Sequence, residues 1–330
     1  MAITVTKFLI DFYNVVILKR RLPLRLRKLI DNLLYRSKFE EALITFSNGK
    51  LLDNSNYDIE LHIVTSASDA LMAVCAAKSL LLTGINAEVV IHSDGTLNDE
   101  HKRLFRSNFA YCRILSPEDK QELPSEIKRL RDELPNLFLE HQQAIGKVAS
   151  IGSRNAWSMK VFDFHLHSLT RKFLILDSDT LFMNEPEMLK EWIMNGETCM
   201  YAQPHFPNLR VRKNTLISKL NVPNVIESFN GGLLAIDKKL VSLNQITDLV
   251  STLLSDKEIN VYGDECIWRI LLSKTNSIPF PIEDYPLIAS RNKYLEIKKS
   301  NKDYAYIHFL LKYRYGIYTN HLRKLNAKKL

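Results

Sequence analysis

The chain has 330 residues, of which 46% are hydrophobic and 25% are charged, so it is long enough to bury a full core and has the composition of a globular protein. Its formal net charge of +8 is concentrated at the ends, because residues 1–36 and residues 311–330 each carry +6 and the rest carries −4. A core that binds nucleic acid needs a basic surface, so nucleic acid is not expected as a partner.

Residues 1–56 are predicted to form a basic helical extension. Within residues 1–36, leucines and isoleucines alternate with arginines and lysines, a composition that suits the surface of an anionic membrane. A helix packed on the protein body, with a solvated basic face, is the alternative. The apolar run at residues 8–18 is too short to cross a bilayer, and its basic cluster follows it, which is not the order of a signal peptide.

The four cysteines are scattered along the chain, without a CxxC pair. Such spacing indicates free thiols in a reducing compartment, and therefore a cytoplasmic protein. Together with the basic first 36 residues, it predicts a peripheral position on the inner face of a membrane.

Between the two basic ends, short apolar segments alternate with longer segments of helical periodicity. The predicted strands lie at residues 61–65, 87–91, 111–115, 200–202, 232–236 and 304–308, and the predicted helices lie at residues 70–82, 99–109, 156–169, 239–254 and 264–272. This alternation predicts an α/β protein with a doubly wound, mostly parallel sheet. The spacing becomes irregular after residue 200, which predicts a mixed sheet there.

An apolar run that ends in two acids is the most informative segment. Phe173 to Leu176 predicts a strand buried on both faces, and Asp177 and Asp179 follow it with one serine between them. Ligands of open α/β sheets lie beyond the carboxyl ends of the strands. Two carboxylates at such an end predict a site for Mg²⁺ or Mn²⁺. An acidic turn that caps the next helix is the alternative.

With this motif the chain resembles the nucleotide-sugar glycosyltransferases of the GT-A fold, which carry a DxD metal motif, and it is most similar to family 8 of that group. The motifs that carry the resemblance follow one another in the expected order. They are Ile63-Val64, Ala76-Ala77-Lys78-Ser79, Lys160, Leu176-Asp177-Ser178-Asp179, Phe229-Asn230-Gly231-Gly232-Leu233-Leu234, Tyr262-Gly263-Asp264-Glu265 and Tyr306-Ile307-His308.

The resemblance implies a GT-A domain at residues 57–310, preceded by the extension and followed by a basic tail at residues 311–330. Within this domain, residues 57–200 would form the nucleotide-sugar half and residues 201–310 the acceptor half. The implied activity is the metal-dependent transfer of a hexose from a nucleoside-diphosphate sugar to a hydroxyl of a glycan or of a lipid-linked saccharide.

The resemblance also implies a metal site. Asp177, Asp179 and His308 match the family's ligands for Mn²⁺ or Mg²⁺, which would neutralise the charge on the departing diphosphate. Lys160 matches a basic residue that bridges the diphosphate and the acids. In similar enzymes this residue is usually arginine, and a lysine acts there as a point charge.

The implied donor-binding residues are Thr65, Ser66, Lys160, Ser178, Asn230, Gly231 and Gly232. Family members often carry an acid and an asparagine after the first strand, where this chain has Thr65 and Ser66, so the nucleotide base stays open, with a UDP-hexose favoured. The implied catalytic residues are Asp264 and Glu265. Retaining members carry a glutamine at the second position, and a carboxylate there is able to act as nucleophile or as base, which leaves the stereochemistry open.

Two other functions fit the same residues. Asp177-Ser178-Asp179-Thr180 also matches the DxDxT motif of haloacid dehalogenase-like phosphatases, in which Asp177 would attack phosphorus and Asp179 would act as acid and base. Those enzymes place the motif on the first strand, whereas several α/β units precede it here. The third possibility is a protein that binds a nucleotide sugar without turning it over.

Overall fold

The computed structural model describes residues 37–48, 57–116, 123–146, 148–209, 213–256, 258–300, 302–310 and 318–328. Of the predicted extension at residues 1–56, residues 1–36 and 49–56 lie outside the described residues. The chain divides into a main unit (residues 50–287 and 301–308) and a smaller unit (residues 1–49, 288–300 and 309–330). The domain bounds expected from the resemblance stay a prediction.

Ten strands lie in the described residues, and seven of them form one sheet. The strands are β1 (Ile59–Thr65), β2 (Ala87–Ser93), β3 (Cys112–Leu115), β4 (Lys172–Leu176), β5 (Thr180–Phe182), β6 (Met200–Ala202), β7 (Asn230–Asp237), β8 (Ile278–Pro279), β9 (Leu287–Ile288) and β10 (Tyr306–Phe309). The seven-stranded sheet has the order β3-β2-β1-β4-β7-β6-β8, and a three-stranded sheet has the order β5-β10-β9.

Strand direction in the large sheet changes at one strand. The pairs β1–β2, β2–β3, β1–β4 and β6–β8 are parallel, whereas β7 runs antiparallel to both β4 and β6. The prediction of a mixed, mostly parallel α/β sheet is therefore confirmed.

Helices cover both faces of this sheet. They are α2 (Ala70–Leu81), α3 (Asp99–Asn108), α4 (Ser125–Ala144), α5 (Ile151–His167), α6 (Glu187–Asn195), α7 (Lys213–Leu220), α8 (Leu243–Ser255) and α9 (Asp264–Ser273). Successive residues of β4 belong to two separate cores, with Phe173 and Ile175 in one and Leu174 and Leu176 in the other. Helices α4, α5, α7, α8 and α9 contribute to the first core, and α2, α3 and α6 contribute to the second. β4 is thus buried on both faces, as its apolar run predicts.

Helix α4 is continuous although Pro135 lies inside it. A proline has no N–H to donate, so the carbonyl of Arg131, four residues earlier, loses its helical partner. The Ser158 hydroxyl of α5 donates a hydrogen bond to that carbonyl at 2.8 Å. The apolar face of α4 packs in the core through Leu130, Leu134, Leu137 and Phe138. Packing and a replacement donor thus maintain a helix that the proline would otherwise break.

Glu60 lies on β1, at the end of the sheet opposite to Asp177 and Asp179, and is fully buried. Its carboxylate pairs with Arg113 and accepts hydrogen bonds from the Ser168 hydroxyl at 2.6 Å and from the Leu169 N–H at 2.9 Å. It also accepts one from the Thr170 hydroxyl at 3.2 Å. Buried carboxylates are stable only when they are paired in this way, so Glu60 fixes the turn that leads into β4.

The smaller unit contains helix α1 (residues 37–47), α10 (Arg291–Lys299) and α11 (Thr319–Lys328). Tyr318 packs edge-to-face against Phe39 and Phe309, and the side chains of Leu322 and Leu325 are buried. Part of the predicted basic tail is therefore a packed helix. Within the described part of the chain, no helix has both the length and the apolar composition of a membrane span.

Candidate active site

Two strand pairings bring the acidic motif together with residues far along the chain. In the antiparallel pair β4–β7, Leu176 lies opposite Leu233, and the next residue, Asp177, donates its N–H to the carbonyl of Gly232 at 3.0 Å. The Thr180 hydroxyl donates to the Asp177 carbonyl at 2.7 Å and closes the turn that holds Asp179. The DxD turn is thus attached to the Asn230-Gly231-Gly232 segment.

The second pairing brings in His308. In the antiparallel pair β5–β10, His308 lies opposite Thr180, which directly follows Asp179. Nε2 of His308 lies 3.1 Å from Oδ1 of Asp179 and 3.7 Å from Oδ2 of Asp177. One ligand atom from each of the three residues lies within 4.8 Å of the others.

These three side chains have the chemistry of a divalent-cation site. Two carboxylate oxygens and one imidazole nitrogen are donors that Mn²⁺ accepts, and Mg²⁺ binds the carboxylates in the same way. His308 is 2% exposed and Asp179 is 4% exposed, so water is a poor competitor for their ligand atoms. The donor set therefore fits the metal that the resemblance implies.

The charges in the cluster act strongly on His308. Burial disfavours the imidazolium, but the Asp179 carboxylate and its hydrogen bond, with Asp177 behind it, outweigh burial and raise the pKa of His308. Tyr306, on the same face of β10, is also buried, and this burial together with Asp177 and Asp179 raises the pKa of its hydroxyl. The site therefore concentrates negative charge in a largely buried position, which attracts a cation.

Lys160 of α5 lies beside Asp177 and Asp264. Its ammonium forms an ion pair with Asp177 and lies 3.9 Å from Oδ2 of Asp264. Burial opposes its charge, but the Asp177 and Asp264 carboxylates raise the pKa of Lys160 and keep it protonated. The indole N–H of Trp268 donates to the Lys160 carbonyl at 3.2 Å and fixes this turn of α5 to α9.

Asp264 and Glu265 begin helix α9 next to these groups. Asp264 is 5% exposed, and burial raises its pKa to about 7, although Lys160 opposes the shift. Glu265 accepts a hydrogen bond from the Gly231 N–H at 3.1 Å. Gly263, which precedes them, lies so close to Trp157 that a Cβ would be 3.3 Å from its ring. Glu265 is therefore held against the glycine segment, and Asp264 lies beside Lys160.

Asn230-Gly231-Gly232 forms the start of β7 and lies between His308 and Glu265. Oδ1 of Asn230 lies 2.8 Å from Nδ1 of His308, and its Nδ2 donates to Oε1 of Glu265 at 3.3 Å. The α-carbon of Gly232 lies directly against the His308 ring, because a Cβ there would overlap two ring atoms. The segment thus contacts both His308 and Glu265.

The other expected donor-binding residues lie at the same edge of the sheet. Thr65 ends β1, which is the parallel neighbour of β4, and Ser66 follows it. Their hydroxyls make local hydrogen bonds, from Thr65 to the Ser66 carbonyl at 3.3 Å and between Ser66 and Ser68 at 2.8 Å. Ser178 is buried in the DxD turn. Their roles in donor binding stay a prediction.

Sequence reasoning missed two residues that position the site. Thr180 closes the DxD turn through its hydroxyl. In the sequence, only its place in the phosphatase-like DxDxT motif marked it as a residue of the site. Trp268 holds Lys160 through a backbone carbonyl, and a tryptophan inside an amphipathic helix gives no signal other than core packing.

We expect Gly232→Ala to disturb His308, the expected metal ligand, directly. A methyl group at this position overlaps the His308 ring, so either the ring or β7 must move, at a cost of about 1–3 kcal/mol in the free energy of unfolding. Mn²⁺ affinity should fall together with thermal stability.

Gly152→Ala is the matched control, because a Cβ at Gly152 in α5 meets no atom within 4 Å. Gly152 lies in the first turn of α5, so the substitution should change the free energy of unfolding by less than about 1 kcal/mol and leave Mn²⁺ affinity unchanged. Titration of Mn²⁺ followed by electron paramagnetic resonance, with thermal melts of the same samples, measures both effects. Parental Mn²⁺ affinity in Gly232→Ala would contradict the described packing.

No protein-family model matches the chain, and no curated protein matches it in sequence. Solved structures do match in fold. The bifunctional glycosyltransferase WbbM in its apo form has a TM-score of 0.50 and 14% identity, over 85% of this chain and 51% of WbbM, so the chain spans about half the length of that protein.

Two further structures have the same TM-score. An active-site mutant of the galactosyltransferase LgtC has a TM-score of 0.50 and 15% identity, over 82% of this chain and 96% of LgtC. Core-mannan synthase A from Aspergillus fumigatus, in its Mn/GDP form, has a TM-score of 0.50 and 12% identity, over 69% of this chain and 74% of that protein. Identities this low show the fold alone, and the fold of this chain is that of the GT-A glycosyltransferases.

Proposed function

We propose that this chain is a metal-dependent glycosyltransferase that moves a hexose from a nucleoside diphosphate, with a UDP-hexose favoured, to a hydroxyl acceptor. The observation that carries the proposal is the Asp177–Asp179–His308 cluster at the carboxyl end of β4 in a GT-A fold. The structural neighbours named above are glycosyltransferases, and core-mannan synthase A holds Mn and GDP.

Asp177, Asp179 and His308 would hold Mn²⁺ or Mg²⁺, which supplies a Lewis acid to the diphosphate that leaves the sugar. Lys160 adds a fixed positive charge beside Asp177, where the leaving diphosphate would lie. Thr65 and Ser66, at the adjacent strand end, would bind the nucleotide. Ser178 and the Asn230-Gly231-Gly232 segment would bind the donor on the same side of the sheet.

Asp264 and Glu265 are the proposed catalytic acids. Glu265 is held by the Gly231 N–H and the Asn230 amide, so its carboxylate has a defined position relative to the glycine segment. A fixed carboxylate serves as nucleophile in a retaining reaction or as base in an inverting one. Asp264 has a pKa of about 7, which suits a proton exchange near neutral pH.

A screen of nucleotide sugars tests the proposal. The chain is incubated with UDP-, GDP- and other nucleoside-diphosphate hexoses, with and without Mn²⁺, and hydrolysis and thermal stabilisation are measured. We expect one donor to be hydrolysed slowly and to raise the melting temperature only with the metal. Donor binding without any hydrolysis or transfer would instead identify a binding protein without turnover. The glycosyltransferase neighbours favour the transferase over the phosphatase alternative.

The acceptor is proposed to be a glycan or a lipid-linked saccharide, and residues 1–36 are proposed to bring the enzyme to an anionic membrane from the cytoplasmic side. Their net charge of +6 supports this, although they lie outside the described residues. We expect deletion of residues 1–36 to weaken binding to phosphatidylserine vesicles. The difference from the full chain should shrink as salt is raised from 0.05 to 0.5 M, because screening removes the attraction. Equal sedimentation of both chains with the vesicles would contradict this role.

A further inference from the structure

The side chain of Asn230 lies between His308 and Glu265 and is 6% exposed. Its oxygen and nitrogen are identified by their partners. The Gly232 N–H is only able to donate, and it lies 3.0 Å from one side-chain atom, which must therefore be the amide oxygen Oδ1. On the other side, the Nδ2 group faces Oε1 of Glu265, an acceptor. The orientation of the amide is thus fixed at both ends.

This orientation fixes the proton on His308. The same Oδ1 lies 2.8 Å from Nδ1 of His308, and an oxygen that accepts from both groups requires a hydrogen on Nδ1. The opposite nitrogen, Nε2, faces Asp177 and Asp179. When the ring acts as a neutral ligand with its hydrogen on Nδ1, the lone pair of Nε2 points at the two carboxylates. Histidines that bind metals are commonly oriented in this way by an acceptor on their other nitrogen.

Building on the proposed function, we propose that Asn230 is a positioning residue of the metal site, which holds His308 in the tautomer that ligates through Nε2 and links this ligand to Glu265. One Nδ2 hydrogen remains for the donor-binding role expected of Asn230. Gly232 completes the arrangement, since the absence of a Cβ lets the His308 ring lie against its α-carbon. The metal ligand and the acid of α9 are therefore connected through one amide.

The test is Mn²⁺ affinity, measured without nucleotide, in the parent chain and in two variants of Asn230. Asn230→Ala removes the acceptor, and we expect the dissociation constant of Mn²⁺ to rise by about 10–100-fold. Asn230→Asp keeps an oxygen that accepts from Nδ1 of His308 and from the Gly232 N–H, so its affinity should stay close to the parental value. It loses the donor to Glu265, so its turnover number should fall.

Asn208→Ala is the matched control for a purely structural effect. Asn208 donates to the carbonyl of Phe229 at 2.7 Å and accepts from its N–H at 3.0 Å, so its loss loosens the residue that precedes β7 without touching His308 or the side chain of Asn230. This variant should melt earlier than the parent but bind Mn²⁺ equally well. The proposal would be overturned if Asn230→Ala kept parental affinity, if Asn230→Asp were as weak as Asn230→Ala, or if Asn208→Ala lost as much affinity.

A spectroscopic measurement reads the tautomer itself. In the Mg²⁺-loaded chain labelled with ¹⁵N-histidine, the His308 signal, assigned by its absence from His308→Asn, should show a protonated Nδ1 and an unprotonated Nε2. A protonated Nε2 would overturn the proposal. A chain that shows the expected signal and Mn²⁺ pattern but turns over no nucleotide sugar would contradict the proposed function alone and leave this inference in place.

Discussion

We expect Asp177→Asn and Asp179→Asn each to lower kcat/KM for transfer by about 10³-fold, the order of loss when one group that stabilises transition-state charge is removed. Each substitution removes a negatively charged ligand proposed for the cation, and an amide is a weaker donor to a hard metal than a carboxylate. Asp177→Asn also removes the closer of the two carboxylates, Asp177 and Asp264, that pair with Lys160. Donor binding should lose its dependence on Mn²⁺ in both variants.

The matched control is Asp248→Asn, the same chemical change on helix α8, away from the cluster. Its kinetics and Mn²⁺ titration should equal those of the parent chain. Initial rates over a range of Mn²⁺ concentrations, together with calorimetric donor binding, measure the differences. Parental rates in either Asp177→Asn or Asp179→Asn would show that the cluster does not carry the reaction.

The largest expected effect on stability is that of Glu60→Gln. The change removes the charge that pairs with Arg113 and places an amide among the donors from Ser168, Leu169 and Thr170. Breaking a buried pair on one side costs about 3 kcal/mol or more in the free energy of unfolding. Urea unfolding at pH 7 measures this loss. Glu133→Gln is the control, because Glu133 pairs with Arg129 on the exposed face of α4 and should contribute less than about 1 kcal/mol.

The same carboxylate predicts an acid dependence. Burial alone would raise the pKa of Glu60, but hydrogen bonds from His62, Ser168 and Leu169 outweigh it and lower the pKa to about 2. A carboxyl with a lowered folded-state pKa stabilises the protein above its ordinary value near 4.5 and loses this contribution as pH falls toward 2. About 3 kcal/mol should be lost over this window in the parent chain. Glu60→Gln should lack this part of the pH dependence, and identical pH profiles would contradict the assignment.

The acidic pair was predictable from sequence because its signal is local. An apolar run from Phe173 to Leu176 requires a buried strand, and Asp177 and Asp179 are then forced to the strand end where ligands bind. His308 has no such local signal. It meets Asp179 only because β5 and β10 pair in one register, and periodicity along the chain does not specify which distant strands pair. Only the resemblance to a family pointed to it.

Glu60 and Pro135 show why other features were not predictable. The predicted strand began at residue 61, because a glutamate is not expected inside a buried strand unless its partners are known. Those partners, Ser168 and Leu169, lie more than a hundred residues away. A proline inside a charged segment normally argues against a helix, whereas the structure has one continuous helix across Pro135. The donor that replaces the lost bond, Ser158, belongs to the next helix.

The most direct test of the metal-centred account is an anomalous difference map of a crystal grown with Mn²⁺ and a nucleoside-diphosphate sugar. The account predicts one manganese peak between Asp177, Asp179 and His308, with diphosphate oxygens completing its coordination. A manganese peak elsewhere, or a diphosphate bound away from these three side chains, would contradict it.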